Sequence, residues 1–167
     1  VLGTLIEDDR VTAVGLYIEG FPDVQALEQV MRRAHERRLP VVAVKTGISA
    51  QGARITHSHT ASMAGSDEAA GALLERLGIA RVQDLDTLIE SLKLLHVHGP
   101  LKGNRLCSMS CSGGEASLMA DTALGRGVVF PELTEEQHKS VAATVHKLVS
   151  VSNPLDYHTF AWNKEED

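Results

Sequence analysis

VTAVGLYI, at residues Val11–Ile18, is a short apolar run with β-branched members, which is typical of a buried strand. Glu19 and Gly20 end this run, and Asp23 stands where it can cap a following helix. A second aliphatic run, PVVAV at Pro40–Val44, predicts the next strand. Because buried strands alternate with amphipathic helical patterns, the sequence predicts an α/β fold of the flavodoxin-like type with a parallel sheet.

The alternation continues after a long segment of small and polar residues. Residues 46–66, here called the histidine segment, read TGISAQGARITHSHTASMAGS and predict a loop that is either functional or disordered. A helix is predicted beyond it, ending at Leu77 before Gly78. A short strand over 79–82 and a helix capped by Asp84 complete the pattern.

The chain then changes character at HVHGPLKGN, residues 96–104, where two glycines and one proline interrupt the helical pattern. We assign 1–97 to one domain, 98–103 to a linker and 104–167 to a second domain. Both domains have too few strands for a complete doubly wound sheet. We therefore expect the chain to span the C-terminal part of one flavodoxin-like domain and the N-terminal part of another.

The second domain is predicted to begin with a strand over 105–110, which leads through a glycine pair into a helix from about Glu115. Thr134, with Gln137 three residues later, forms the sequence signature of a capping box at a further helix. The run Ser152–Asp156 contains Asn-Pro and predicts a turn.

Composition excludes several classes of protein. The 167 residues have a formal charge of −6 and no basic stripe, which argues against a nucleic-acid partner. We see no run of transmembrane length and no signal peptide, so no membrane partner is expected. The two cysteines, Cys107 and Cys111, do not form a disulfide-style framework. These features predict a cytoplasmic protein.

The pair His57 and His59, separated by one serine in the histidine segment, is the strongest local signal for chemistry. A metal site would need at least three ligands, and no further Cys or His clusters nearby. Both histidines could instead be ordinary surface residues. The third interpretation is nucleophilic: a neutral imidazole nitrogen attacks a phosphoryl group and holds it as a phosphoramidate.

Two other features could serve such a histidine. Glu19 follows a predicted strand at the sheet edge where α/β folds place their sites, and its carboxylate could fix one imidazole tautomer. A solvated glutamate in a turn is the alternative. Ser112, Gly113 and Gly114 join a strand to a helix N-terminus, which can bind an anion, although a plain tight turn is an equal interpretation.

Taken together and in this order, the motifs closely resemble the ADP-forming acetate–CoA ligases, the NDP-forming acyl-CoA synthetases related to succinyl-CoA synthetase. The likeness covers nearly the whole chain. It rests on YIEG at 17–20, PVVAVKTG at 40–47, GA at 52–53, SHT at 58–60, AGSD at 64–67, GNR at 103–105, SGG at 112–114 and NPLD at 153–156.

The resemblance implies roles for three parts of the chain. His59 matches the phosphorylated histidine, Glu19 matches the glutamate that steadies it, and Ser112–Gly114 match a helix start that faces the phosphate. The family reaction is acid plus CoA plus ATP giving acyl-CoA, ADP and phosphate, through an acyl phosphate and a phosphohistidine. Two departures from the family pattern are Ala61 in place of glycine and Cys111 in place of a polar residue.

The resemblance also implies partners that other domains bind. Coenzyme A and ATP with magnesium would be substrates of the full enzyme, together with a small carboxylic acid. An ATP-grasp domain or subunit would bind the nucleotide, and a homo-oligomer is possible. The fragment alone is expected to be inactive. A non-catalytic acyl-CoA or nucleotide-sensing module of a protein acetyltransferase is the alternative function. The acid, the choice of ATP or GTP, and the roles of His57 and His158 stay open.

Overall fold

The computed structural model describes residues 1–60 and 66–161, without the side chains of residues 56–60 and 161. It divides into two compact units, residues 1–101 and 102–167. The division lies between Leu101 and Lys102, within the stretch predicted as a linker. Each unit is described by itself below.

In the described part of the first unit, three parallel strands form one sheet in the order β1-β2-β3. The strands are β1 (Val14–Ile18), β2 (Val41–Lys45) and β3 (Ala80–Val82). The parallel arrangement agrees with the predicted α/β fold. The helices of this unit are α1 (Leu2–Ile6), α2 (Val24–Glu36), α3 (Ala50–Thr60), α4 (Asp67–Arg76) and α5 (Leu85–His98).

The central strand β2 separates two apolar clusters, because successive side chains of a strand point to opposite faces. Val41 and Ala43 belong to the larger cluster, with residues of α2 and α4 such as Met31 and Leu74. Val42 and Val44 belong to a smaller cluster with α5. The sheet is therefore covered by helices on both faces, as the aliphatic composition of β2 predicts.

The helix boundaries follow local signals in the sequence. Asp23 caps α2 by accepting a hydrogen bond from the amide of Ala26 over 2.8 Å, and Asp84 caps α5 in the same way through Thr87. Gly78, after α4, has a φ of +64°, the left-handed conformation that glycine adopts at little cost. These predicted boundaries are confirmed.

Two predictions for the first unit are wrong in part. Residues 50–60 of the predicted loop form α3, whose start is stabilised by a hydrogen bond of 3.0 Å from the amide of Gly52 to Oγ of Ser49. The small-residue sequence has little apolar periodicity, so the pattern did not predict this helix. The predicted interruption at 96–104 also starts too early, since α5 continues to His98 and ends at Gly99, with a φ of +67°.

The second unit contains a parallel pair of two short strands within its described residues, β4 (Met109–Ser110) and β5 (Leu155–Asp156). Two α-helices, α6 (Gly113–Ala123) and α7 (Glu135–Thr144), lie between them in the chain. The predicted capping box at the start of α7 is confirmed.

Two predictions for this unit need correction. The predicted strand over 105–110 is reduced to two residues with a separate bridge from Arg105 to Val129. The predicted turn at Ser152–Asp156 is too long: the chain bends at Asn153 and Pro154, but Leu155 and Asp156 form β5, because the amide of Leu155 pairs with the carbonyl of Ser108 over 2.8 Å.

Candidate functional site

Glu19 is the first residue after β1, at the edge of the sheet where the parallel strands end. It is half-buried. The neighbouring strand reaches the same edge, since Ile18 is paired with Lys45, the last residue of β2. The amide of Thr46 continues this pairing with a hydrogen bond of 2.9 Å to the carbonyl of Ile18. The predicted glutamate thus lies at the carboxyl ends of two adjacent strands, the usual position of sites in α/β folds.

Lys45 is a buried cation directly beside Glu19, and only 4% of its surface is exposed. Its Nζ atom donates a hydrogen bond of 2.9 Å to the carbonyl oxygen of Glu19 and another to the carbonyl oxygen of Thr46. Burial lowers the pKa of Lys45, the negative charges of Asp67 and Glu19 oppose that effect, and the positive charge of Arg81 adds to it. Four charged residues therefore interact at this edge.

The far end of the histidine segment is held at the same edge. Ser66 caps α4 by accepting a hydrogen bond of 3.1 Å from the amide of Ala69. Arg81, on β3, donates from Nη2 to Oδ1 of Asp67 over 2.5 Å. The Arg81 side chain is 20% exposed, so this ion pair is partly shielded from solvent. The first residue of α4 is thereby joined to the third strand.

The candidate nucleophile is only partly described. His59 and His57 lie within α3, but their side chains are outside the described residues. The predicted interaction between His59 and Glu19 is therefore untested. The chain leaves β2 at the sheet edge beside Glu19 and returns to α4 at Asp67.

In the second unit, Ser112 is the N-cap residue of α6, and Gly113 and Gly114 are its first two residues. The Ser112 side chain makes no capping hydrogen bond among the described residues. The backbone carbonyl of Ser112 accepts a hydrogen bond of 3.0 Å from Oγ of Ser110. An uncapped helix start exposes backbone N–H groups, and these with the helix dipole favour an anion.

Asp156 and His158, for which no role was predicted, both lie near this helix start. A Cβ atom placed on Gly113 would come within 3.1 Å of Oδ2 of Asp156. Oδ1 of Asp156 accepts a hydrogen bond of 2.8 Å from the amide of His158, whose φ is +58°. Both residues line an open cavity of about 360 Å³ beside α6, together with Gly113 and Ser117. The position of His158 just after the Asn-Pro motif was the signal in the sequence, whereas its positive φ is not visible there.

Asn153 joins the segments around β4. Its Nδ2 atom donates to the carbonyl oxygens of Leu106 and Pro131 over 2.9 and 3.0 Å, and its Oδ1 accepts from the amide of Ser108 over 3.2 Å. The Asn-Pro motif noted in the sequence thus fixes the start of β5 against β4. Its role within this unit is structural.

The described residues contain no group of three or more His, Cys, Asp or Glu side chains that could hold a metal ion. Among the same residues, no helix is both long enough and apolar enough to cross a membrane.

Comparison with known proteins assigns the fold to a family. Residues 1–95 match the succinyl-CoA ligase-like flavodoxin domain. This match covers more than half of the chain, which therefore belongs to that family.

Curated relatives include several ADP-forming acid–CoA ligases. The chain is 31% identical over 152 residues to the alpha subunit of ADP-forming acetate–CoA ligase II from Pyrococcus furiosus, covering 91% of the chain and 33% of the relative. It is 28% identical over 158 residues to the ADP-forming 4-hydroxybutyrate–CoA ligase of Nitrosopumilus maritimus, covering 93% of the chain and 22% of the relative. The chain thus spans about a third or less of the length of these relatives.

A solved structure has the same fold. It is acetyl-coenzyme A synthetase 1 of Ca. Korarchaeum cryptofilum in complex with phosphate and ADP, with a TM-score of 0.80 and 23% identity. The similarity covers 94% of this chain and 34% of that one. The fold prediction, a flavodoxin-like arrangement of succinyl-CoA synthetase type, is confirmed.

Proposed function

We propose that this chain is the phosphohistidine-bearing part of an NDP-forming acyl-CoA synthetase, with residues 1–97 and 104–167 contributed by two ligase domains. The overall reaction is acid plus CoA plus ATP giving acyl-CoA, ADP and phosphate. The main observation in support is the position of Glu19 at the carboxyl end of β1, beside the strand that leads into the histidine segment. The family membership of residues 1–95 supports the same assignment.

In this proposal His59 relays the phosphoryl group. A ring nitrogen of neutral His59 attacks the phosphorus of an acyl phosphate, an N–P bond forms, and the P–O bond to the acyl group breaks, which releases the carboxylate. A terminal oxygen of ADP then attacks the same phosphorus, the N–P bond breaks, and ATP and free His59 result. Every step is reversible. Glu19 would accept a hydrogen bond from the other ring nitrogen and so fix the reactive tautomer.

The second unit would bind the phosphate. Gly113 and Gly114 would present backbone N–H groups of α6 to the phosphoryl oxygens, with Ser112 at the cap position. An ATP-grasp domain or subunit would bind ATP with magnesium, and a further domain would bind coenzyme A. The full-length protein would be cytoplasmic and would form a homo-oligomer. The relatives act on both acetate and 4-hydroxybutyrate, so the acid is left as a small carboxylate.

Labelling of the full-length protein that contains this chain tests the proposal. The wild type, His59→Asn and His57→Asn would each be incubated with γ-labelled ATP and magnesium, after ATP binding has been verified. We expect acid-labile, base-stable label in the wild type and in His57→Asn, and none in His59→Asn. Equal label in His59→Asn would show that another residue accepts the phosphoryl group. Absence of label from all three proteins would favour the non-catalytic sensing module.

A further inference from the structure

Within the described part of the chain, Lys45 is the one charged or polar residue that is buried. It lies on the same face of β2 as Val41 and Ala43, which belong to the larger apolar cluster. A buried ammonium group loses its hydration, and that loss is unfavourable unless hydrogen bonds and opposite charges replace it. A lysine here therefore needs a reason beyond packing.

The hydrogen bonds of the Lys45 side chain lie outside the ladder of the sheet. The amide of Thr46 already pairs with the carbonyl of Ile18, so the two strands are joined without the lysine side chain. The Nζ atom instead binds the carbonyl oxygens of Glu19 and Thr46, the first residues beyond the ends of β1 and β2. Lys45 thus fixes the two backbone positions at which the chain leaves the sheet.

Those two positions are the ones on which the proposed chemistry depends. The backbone at Glu19 sets the direction of the carboxylate, and the backbone at Thr46 begins the histidine segment. The charges around Lys45 are also balanced across three elements, because Glu19 follows β1, Asp67 begins α4 and Arg81 belongs to β3. A neutral residue at 45 would remove the positive charge that interacts with both Glu19 and Asp67.

We infer that Lys45 is a positioning residue for phosphoryl transfer, whose ammonium group fixes the backbone of Glu19 and the first residue of the histidine segment. This inference rests on the proposed function. It assigns to Lys45 no contact with substrate; the residue acts through Glu19 and through the start of the segment that contains His59.

The test compares two buried neighbours on β2 in the full-length protein. Lys45→Ala removes the ammonium group, and Val44→Ala is the matched control, because Val44 is also 4% exposed but contacts the cluster with α5. The rate constant for labelling by γ-labelled ATP would be measured in single turnovers, together with the ATP dissociation constant and the melting temperature. Misplacement of a reacting group by about 1 Å can reduce a rate about 100-fold.

We expect Val44→Ala to lower the melting temperature with little change in the labelling rate. Lys45→Ala should label about 10- to 100-fold more slowly, with an unchanged ATP dissociation constant. Ethylammonium should restore the rate of Lys45→Ala in a saturable way, because it can donate hydrogen bonds in the vacated space. Tetramethylammonium, which has no N–H group, should not. If Lys45→Ala does not fold, Lys45→Met replaces it in the test, because methionine keeps the apolar stem. Lys45→Met should also label about 10- to 100-fold more slowly than the wild type.

The outcomes separate the two proposals. If the wild type is labelled, and Lys45→Ala and Lys45→Met are labelled as fast as Val44→Ala, the role of Lys45 is overturned. The proposed function would still stand. Restoration by tetramethylammonium as well as ethylammonium would also overturn the role of Lys45, because volume rather than hydrogen bonding would then be the cause. A wild type that binds ATP but takes up no label would overturn the proposed function and this inference together.

Discussion

The guanidinium group of Arg81 lies 2.5 Å from the carboxylate of Asp67, and this ion pair joins β3 to the first residue of α4. Asp67 immediately follows the histidine segment. At the other end of that segment, Lys45 holds the carbonyl of Thr46. The segment proposed to contain the nucleophile is therefore fixed to the sheet at both of its ends.

Arg81→Gln should destabilise the start of α4. The pair is partly shielded, so we expect a loss of about 1 kcal/mol in local opening free energy, near the upper end for such pairs. Arg76→Gln is the matched control, because Arg76 pairs with Glu28 but is itself 59% exposed. Arg76→Gln should lower the local opening free energy by only a few tenths of a kcal/mol, about the contribution of an exposed ion pair. Hydrogen exchange of the α4 amides would measure both, and equal losses would refute the special role of Arg81.

Gly15→Ala should destabilise the packing of α5 on the sheet. A Cβ atom at this position would come within 2.7 Å of Cδ1 of Leu92, which packs against the cluster of Val42, Val44 and Leu88. The close atom is the end of a half-buried leucine side chain that can shift, so we expect a cost of about 1 kcal/mol, the low end for overpacking. Native-state hydrogen exchange of the β2 amides reports this unit alone. In a Leu92→Ala background the same substitution should cost much less, and an undiminished cost there would show that the close contact is not the cause.

Gly113→Ala should weaken phosphate binding more than Gly114→Ala does. At Gly113 a new methyl group would lie 3.1 Å from Oδ2 of Asp156, whereas at Gly114 the nearest atom is 3.5 Å away, an ordinary contact. We expect the KM for phosphate in the acyl-CoA-consuming direction to rise about 10-fold for Gly113→Ala, as loss of about 1.4 kcal/mol of binding requires. Steady-state kinetics of the full-length protein would measure it. KM values equal to that of the wild type in both variants would contradict the proposed phosphate role of this helix start.

The stability of the first unit should depend on pH through Lys45. Burial lowers the pKa of Lys45 below its ordinary value of 10.5, so in the window between the two values the unfolded chain binds more protons than the folded one. The free energy of unfolding therefore rises with pH in that window. The difference between wild type and Lys45→Met, from urea unfolding at several alkaline pH values, should shift in favour of the wild type as pH increases. A difference that is constant or falls would contradict the lowered pKa.

Much of the fold could be predicted because its signals are local. Asp23, Asp84 and Thr134 are side chains that cap the very helices they precede, and the aliphatic run of β2 is buried on both faces. By contrast, α3 has too few apolar residues to show a helical period in the sequence. The strand β5 forms only by pairing with a segment more than forty residues earlier, where the amide of Leu155 binds the carbonyl of Ser108.

The site was predicted only in part for the same reason. Glu19 could be found, since the end of a predicted strand is a position along the chain. Lys45 looked like the ordinary end of an apolar run. Its hydrogen bond to the carbonyl of Glu19 and its interaction with Asp67 of α4 both join residues that are distant in sequence. The alternation that places residue 45 on the same face as Val41 and Ala43 was a signal that could have identified it.

The relay itself is tested most directly by the fate of the phosphoryl group on the isolated, labelled full-length protein. Two portions would be treated separately, one with ADP and the other with acetate plus CoA. The account predicts that label from His59 passes to ATP in the first portion and to inorganic phosphate, with formation of acetyl-CoA, in the second. Glu19→Gln should slow both transfers, by about 100-fold if the carboxylate fixes the tautomer. The contradicting result is label that ADP removes but that neither acetate plus CoA nor other small acids plus CoA remove. That result would contradict a relay between acyl phosphate and nucleotide.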